Sequence, residues 1–151
     1  MGACDGTRSG SGGGALIGAG RGTRSGSGSV PTSDSDGAAL MELMGMSDEE
    51  FGERFSGSPI RRAKRRGFLR NVAVALGNWG SVQAVPVLAQ AMEDDEPLIR
   101  GHAAWALGRI LKRAGIPGDR GFVAAEALLG RLEVEEDEWV REEIRVALWG
   151  E

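Results

Sequence analysis

The sequence has few of the side chains from which metal and redox sites are built. Its 151 residues include one cysteine, Cys4, and one histidine, His102. A lone cysteine excludes a disulfide framework and a cysteine-only metal site within one chain, and a lone histidine excludes a multi-histidine site. We therefore assign no catalytic, cofactor-binding or metal-binding residue, and we expect this chain by itself not to be catalytic.

Long apolar runs are also missing. No stretch of eighteen apolar residues exists, so the sequence predicts no transmembrane helix. The run Ala15–Ile17 is too short for the apolar region of a signal peptide. A length of 151 residues allows one domain. These features predict a cytoplasmic chain with no membrane partner.

Glycine is plentiful but unevenly distributed. Nearly half of the 25 glycines lie in residues 1–37, where they are mixed with Ser, Arg and Thr. This composition offers little apolar surface to bury, and glycine loses much backbone entropy when it is ordered. Residues 1–37 are therefore predicted to be a disordered Gly/Ser/Arg-rich leader, and residues 38–151 to form the folded domain.

An internal repeat predicts the fold of that domain. Residues 68–77 align with residues 99–108 and again with residues 140–149. Apolar residues or Ala recur at i, i+4, i+7 and i+8 of each segment, which is the stripe of a buried helix face. A second apolar segment and an acidic turn precede the last two copies. The pattern predicts an all-α, right-handed stack of short HEAT-like repeats of about 30 residues, with residues 112–122 as an insertion.

Local signals predict where individual helices begin. Ser47 and Glu50 have the spacing of a capping box, in which each side chain accepts a hydrogen bond from the backbone of the other residue. Phe51 and Phe55 would share one face of the helix that follows, so we expect them in the core. Ser58 is predicted to cap another helix.

The repeat also accounts for conspicuous charged residues without a function. Each of two arginines follows an acidic turn by a few residues. Arg100 is therefore predicted to pair with Asp94 or Asp95, and Arg141 with Glu136 or Asp137. The acidic run at residues 133–138 lacks the Asp spacing and central Gly of a calcium loop, so we expect a solvated turn.

Two other polar or aromatic residues are explained in the same way. His102 aligns with Asn71 and Glu143, three polar residues at one helical position, which predicts an exposed ridge rather than a metal ligand. Trp105 aligns with two valines on the flank of the apolar stripe, so we expect it to pack between neighbouring helix pairs.

The centre of the chain is strongly basic although the formal net charge is −4. Residues 54–92 contain basic side chains and no acidic one. Such a density of positive charge repels itself unless anions compensate it, and arginine suits bidentate contact with phosphate. Asn71 adds an amide that can bind a phosphate or a sugar. The predicted nucleic-acid-binding residues are Arg61, Arg62, Lys64, Arg65, Arg66, Arg70 and Asn71; the alternatives are a solvated helix and a nuclear-localisation-like run.

The same region carries a resemblance to a known family. Residues 46–51, 55–62 and 68–78, together with the repeat at 97–108, closely resemble the C-terminal region of epoxyqueuosine reductases. The resemblance covers about residues 38–151. It implies a role in the last step of queuosine synthesis, the reduction of epoxyqueuosine to queuosine in the tRNA anticodon loop. In that family a helical C-terminal part helps to hold the tRNA.

The chain departs from the family in its catalytic part. The family uses a cobalamin and two [4Fe–4S] clusters in an N-terminal region, and two such clusters need eight cysteine ligands. Only Cys4 is present, and it matches no ligand run. We therefore expect no cofactor in this chain, a tRNA anticodon stem–loop as its partner, and a separate catalytic half as a further partner. The alternative is a HEAT-repeat scaffold that binds a protein and has no nucleic-acid role.

Overall fold

The computed structural model describes residues 34–115 and 118–150, and this part of the chain folds into helices with no strand. Short 3-10 helices at Pro59–Ala63 and Val82–Ala84 precede α3 and α4. The α-helices are α1 (Asp34–Met44), α2 (Asp48–Arg54), α3 (Lys64–Trp79), α4 (Val85–Ala91), α5 (Pro97–Ala114), α6 (Asp119–Val134) and α7 (Glu138–Trp149). The all-α prediction is confirmed.

The helices form two layers. Helices α3, α5 and α7, which carry the three sequence repeats, pack side by side in one layer. In the other layer, α1 packs against α3, α4 packs against α5, and α6 packs against α4 and α7. The core between the layers contains fully buried aliphatic side chains from both, among them Leu69, Leu88, Ile99, Leu128 and Ile144. The predicted stripe at i, i+4, i+7 and i+8 is therefore the face of α3, α5 and α7 that packs against this core.

The repeat helices approach one another at glycine–alanine contacts. A Cβ atom placed on Gly77 would lie 2.9 Å from the Cα of Ala106, and one on Gly108 would lie 2.7 Å from the Cα of Ala147. Both distances are below van der Waals contact, so only glycine permits this separation of the helix backbones. The edge of the Trp105 indole also reaches Gly77, which confirms that Trp105 packs between helix pairs.

The first helix begins earlier than the sequence predicts. Helix α1 starts at Asp34, although the folded domain was predicted to begin at residue 38. Gly37 is buried under the ring of Trp79, where a Cβ would overlap the indole. The polar residues 34–37 look like a continuation of the leader, but this tertiary contact holds them in the helix. Residues 1–33 lie outside the described residues, so the disordered leader remains a prediction.

The predicted helix signals are present. The Ser47 Oγ accepts from the Glu50 backbone N–H at 3.2 Å, and the Glu50 carboxylate accepts from the Ser47 N–H at 2.8 Å, which completes the capping box. Phe51 is buried and its ring lies 5.0 Å from that of Phe55. Ser58 caps the 3-10 helix at Pro59–Ala63, where its Oγ accepts from the Ile60 N–H.

The predicted partners of Arg100 are wrong. Its Nε and Nη2 donate to the two carboxylate oxygens of Glu135 at 2.7 Å each, and its Nη1 donates to the backbone carbonyls of Asp94 and Asp95 at 2.9 Å each. The carbonyls of its own turn bind one edge of the guanidinium, so the other edge faces the turn of the next repeat. Arg100 therefore joins two repeats instead of closing one turn.

The predictions for Arg141 and for the acidic run also need correction. Arg141 donates from Nη1 to the carbonyl of Glu135 at 3.3 Å, and its nearest carboxylate is that of Glu138, 3.9 Å from Nε, rather than Glu136 or Asp137. Glu135 is buried, whereas Glu133 and Glu136 are exposed. The acidic run at residues 133–138 is thus a solvated turn with one buried carboxylate, that of Glu135, which binds Arg100 of the preceding repeat.

Candidate nucleic-acid interface

Four of the basic residues singled out in the sequence are free at the protein surface. Arg61 and Arg62 lie on the 3-10 helix, Lys64 is the first residue of α3, and Arg70 lies farther along α3. All four side chains are exposed. None of them makes a hydrogen bond or ion pair with another residue in the described ranges. Their charges are therefore available to an external anion.

The chain turns sharply at Lys64, within the segment that carries these four basic residues. Lys64 has φ +55° and ψ 163°, the one positive φ at a non-glycine residue in the described part of the chain. A side chain in this region of φ/ψ space costs of order 1–3 kcal/mol. The turn separates the axis of the 3-10 helix from that of α3, so Arg61 and Arg62 precede the turn and Arg70 follows it.

Arg65 differs from its neighbours because its guanidinium is used within the fold. Its Nη2 lies 2.6 Å from the Asp94 Oδ2, its Nη1 lies 3.3 Å from the Oδ1, and its Nε donates to the Met46 carbonyl at 2.7 Å. Its side chain is 14% exposed. Burial alone would raise the pKa of Asp94, but the hydrogen bond from Arg65 holds that pKa below its ordinary value. Arg65 is therefore a structural ion-pair partner and not a free cation.

The remaining two predicted residues lie at the surface of α3. Arg66 is exposed, and its Nη1 lies 4.0 Å from the Glu96 carboxylate, a long and solvated ion pair that contributes little. The side chain of Asn71 is exposed and makes no hydrogen bond within residues 34–115 and 118–150. Arg66 and Asn71 thus stay accessible, next to Arg70 and the first turn of α3.

A second group of cations, missed in the sequence, lies on α5. The guanidinium of Arg109 sits 5.0 Å from the centroid of the Trp105 ring, which is a cation–π contact. Lys112, one turn farther along, is exposed. Trp105, Arg109 and Lys112 have the i, i+4, i+7 spacing of one helix face, which is the signal that could have revealed them.

A groove of about 330 Å³ lies on the outer surface of the repeat helices. Its lining residues come from α3, α5 and α7 and are Val74, Gly101, His102, Trp105, Trp139 and Glu143. The rings of His102 and Trp139 are 5.5 Å apart and tilted by 49°. The Nδ1 of His102 is 2.8 Å from the Leu98 carbonyl, to which it donates. Of the exposed ridge predicted for Asn71, His102 and Glu143, only Asn71 is exposed, while His102 and Glu143 are half-buried in the wall of this groove.

The residues present do not fit the [4Fe–4S] clusters that the family resemblance implies. No three His, Cys, Asp or Glu side chains in the described part of the chain lie close enough to hold a metal ion. Thiolate ligands for a cluster are also lacking, since the one cysteine of the sequence is Cys4. Among the helices of residues 34–115 and 118–150, none is both long and apolar enough to span a bilayer.

Comparison with known proteins identifies relatives of this region. Epoxyqueuosine reductase from Xanthomonas campestris is 42% identical over 78 residues, which are 51% of this chain and 22% of the relative. The Bacillus subtilis epoxyqueuosine reductase is 36% identical over 106 residues, 70% of this chain and 25% of the relative. The chain thus spans about a quarter of the length of the curated relatives it matches, and the resemblance seen in the sequence is confirmed.

A solved structure agrees with these relatives. The structure of an epoxyqueuosine reductase with an epoxyqueuosine-modified tRNA-Tyr stem loop superposes with a TM-score of 0.61 and is 34% identical. The match covers 72% of this chain and 27% of that protein. A family model for HEAT repeats matches residues 61–149, more than half of the 151 residues. This match, together with the repeated helices packed in two layers, shows that the chain belongs to the HEAT-repeat family.

Proposed function

We propose that this chain is the tRNA-binding HEAT-repeat portion of an epoxyqueuosine reductase-like protein. The observation that supports it is the group of four exposed cations without a partner in the described part of the chain: Arg61, Arg62, Lys64 and Arg70. Phosphate groups are the anions that such a cluster binds, and arginine forks match their geometry. A relative with the same fold has been solved with a tRNA stem loop.

The role of this region is to hold the anticodon stem–loop while chemistry occurs elsewhere. Reduction of epoxyqueuosine to queuosine, with its cobalamin and two [4Fe–4S] clusters, belongs to a catalytic portion that residues 1–151 do not supply. We propose that portion as a separate partner of this chain, and a cytoplasmic location for both. Phosphate contacts fix the position of the RNA, so the helical region would orient the loop toward the catalytic portion.

Binding of a fluorescently labelled anticodon stem–loop, measured by anisotropy at several salt concentrations, tests the proposal. If about three to five phosphates are neutralised, log affinity should fall with log salt concentration with a slope of about −2 to −4. A slope near zero would contradict a phosphate-binding surface.

Charge reversal locates the surface. Arg61→Glu and Arg62→Glu should each weaken binding severalfold and make the salt slope shallower by about one. Arg120→Glu is the matched control, because Arg120 is exposed but lies on α6, where it donates to the Val82 carbonyl. If all three variants weakened RNA binding equally, the loss would reflect the change in net charge and would contradict a binding surface at Arg61 and Arg62. No binding by the unmodified chain would reject the RNA role and favour a protein-binding scaffold.

A further inference from the structure

The groove between α3, α5 and α7 is lined in part by α3, the helix that carries the exposed cations Lys64 and Arg70. Val74 forms its wall on α3 and lies one helical turn after Arg70 and Asn71. A volume of about 330 Å³ is at the lower end of the range for small-molecule sites, which run from about 300 to about 1,000 Å³. The groove can therefore hold one flat ring system rather than a folded peptide.

Aromatic side chains form two walls of the groove. Trp139 on α7 is 42% exposed although its indole covers Gly101. Trp105 on α5 lines the same groove, and Arg109 covers part of its ring. Unpaired nucleic-acid bases stack on exposed rings of this kind, and on arginine planes, in single-strand recognition.

Charge is distributed so that cations flank the groove and a carboxylate lies inside it. Arg70 is on the α3 side. A second depression of about 200 Å³ adjoins the groove, shares Trp105 and Glu143 with it, and is also lined by Arg109 and Lys112. The carboxylate of Glu143 would repel a phosphate in the groove itself. It would accept hydrogen bonds from the amino or imino groups of a base edge.

We propose that this groove binds one unpaired nucleobase of the RNA between Trp105 and Trp139, with the flanking phosphates at Arg70 on one side and at Arg109 and Lys112 on the other. The proposal rests on the proposed tRNA role and adds the part of the RNA that is recognised. It makes the loop, and not only the stem, a determinant of binding.

The test compares two labelled RNA probes with the full chain: the anticodon stem–loop, and a blunt duplex of the same stem without unpaired nucleotides. Trp139→Ala should weaken stem–loop binding about tenfold and leave duplex binding unchanged. The matched control is Trp149→Ala, which removes an indole of the same helix that is 64% exposed and does not line the groove. It should change neither affinity.

A second variant keeps the proposal testable if Trp139→Ala loosens the packing on Gly101. Glu143→Gln retains an acceptor and the length of the side chain, so it should alter the order of affinities among stem–loops with different unpaired bases. If the groove instead held a phosphate, this variant would strengthen binding to stem–loop and duplex alike, which would overturn the proposal.

The outcomes separate this proposal from the function on which it rests. If the unmodified chain binds both probes, but Trp139→Ala behaves like Trp149→Ala, the base site is wrong and the tRNA role stands. If the unmodified chain binds neither probe, the tRNA role itself is rejected.

Discussion

Arg100 and Glu135 form a two-point ion pair across 35 residues of sequence. Both oxygens of the Glu135 carboxylate accept from the Arg100 guanidinium at 2.7 Å, and Arg131 donates to the same carboxylate from one turn earlier at 2.9 Å. The Glu135 side chain has no exposed surface. Because Arg100 lies in α5 and Glu135 lies between α6 and α7, the pair fastens neighbouring repeats to each other.

Removing the charge of Glu135 should destabilise the fold. Glu135→Gln leaves the Arg100 guanidinium buried without its counter-ion, and breaking a buried pair in this way costs about 3–5 kcal/mol. Glu136→Gln is the control, since Glu136 is adjacent in sequence but exposed, and it should change the free energy of unfolding by less than about 0.5 kcal/mol. Urea unfolding followed by circular dichroism measures both variants. Similar losses in the two would show that the pair is not a main source of stability.

The same pair should make stability depend on pH in the acid range. Burial by itself would raise the pKa of Glu135, but hydrogen bonds from Arg100 and Arg131 lower it from 4.5 to about 2. A carboxyl whose pKa is lower in the folded state stabilises the fold fully above its unfolded pKa, and this stabilisation is lost as pH falls from about 4.5 to about 2. Asp94, with its pKa lowered by Arg65, acts in the same direction.

The unfolding temperature, recorded between pH 7 and pH 2, should therefore fall steeply below about pH 4.5. The fall should be shallower in Glu135→Gln, because that side chain no longer takes up a proton on unfolding. An identical pH profile in the variant would contradict the assignment to Glu135.

Arg65 and Arg62 should separate stability from RNA binding. Arg65→Glu places a carboxylate against Asp94 and removes the hydrogen bond to the Met46 carbonyl, so the unfolding temperature should fall markedly. Arg62→Glu alters an exposed side chain with no partner in residues 34–115 and 118–150. It should leave the unfolding temperature unchanged within about 1 °C and weaken RNA binding. Thermal unfolding and anisotropy on both variants provide the comparison; a stable Arg65→Glu protein would show that the ion pair is dispensable.

The glycine–alanine contacts between repeat helices should tolerate no added methyl group. In Gly108→Ala the new Cβ would lie 2.7 Å from the Ala147 backbone, which cannot move without displacing α7. Overpacking of this kind costs about 1–3 kcal/mol. Gly130→Ala is the matched control in α6, where a Cβ meets nothing within 4 Å, and it should stabilise the protein by up to about 1 kcal/mol because alanine favours the helix. Chemical unfolding of the two variants should show changes of opposite sign in the free energy of unfolding. If both variants were stabilised, α5 and α7 would be able to move apart without cost.

The sequence was sufficient for the architecture because the repeat places Leu76, Leu107 and Leu148 on the same stripe. It was not sufficient for partners across repeats. The sequence pattern does not reveal that the Arg100 guanidinium binds Glu135 rather than the carboxylates of Asp94 and Asp95. Nor does it reveal that Arg65 is half-buried in an ion pair while Arg62 is exposed. Those differences depend on how one turn lies against the next, which no local pattern records. The start of α1 was missed for the same reason, since only the distant Trp79 holds Gly37.

The contacts of Gly77 and Gly108 also bear on what can lie against α7. In the aligned repeats the corresponding position on α7 is Trp149, whose large indole is 64% exposed. A helix could not approach α7 there at the separation seen between α3 and α5, because the indole fills the space that glycine leaves open. A further helix could therefore not be added on this side by the same step while the indole holds this position. A helix or partner that packs on that side of α7 would contact the Trp149 indole, and its alignment on α7 would differ from that of α3 on α5.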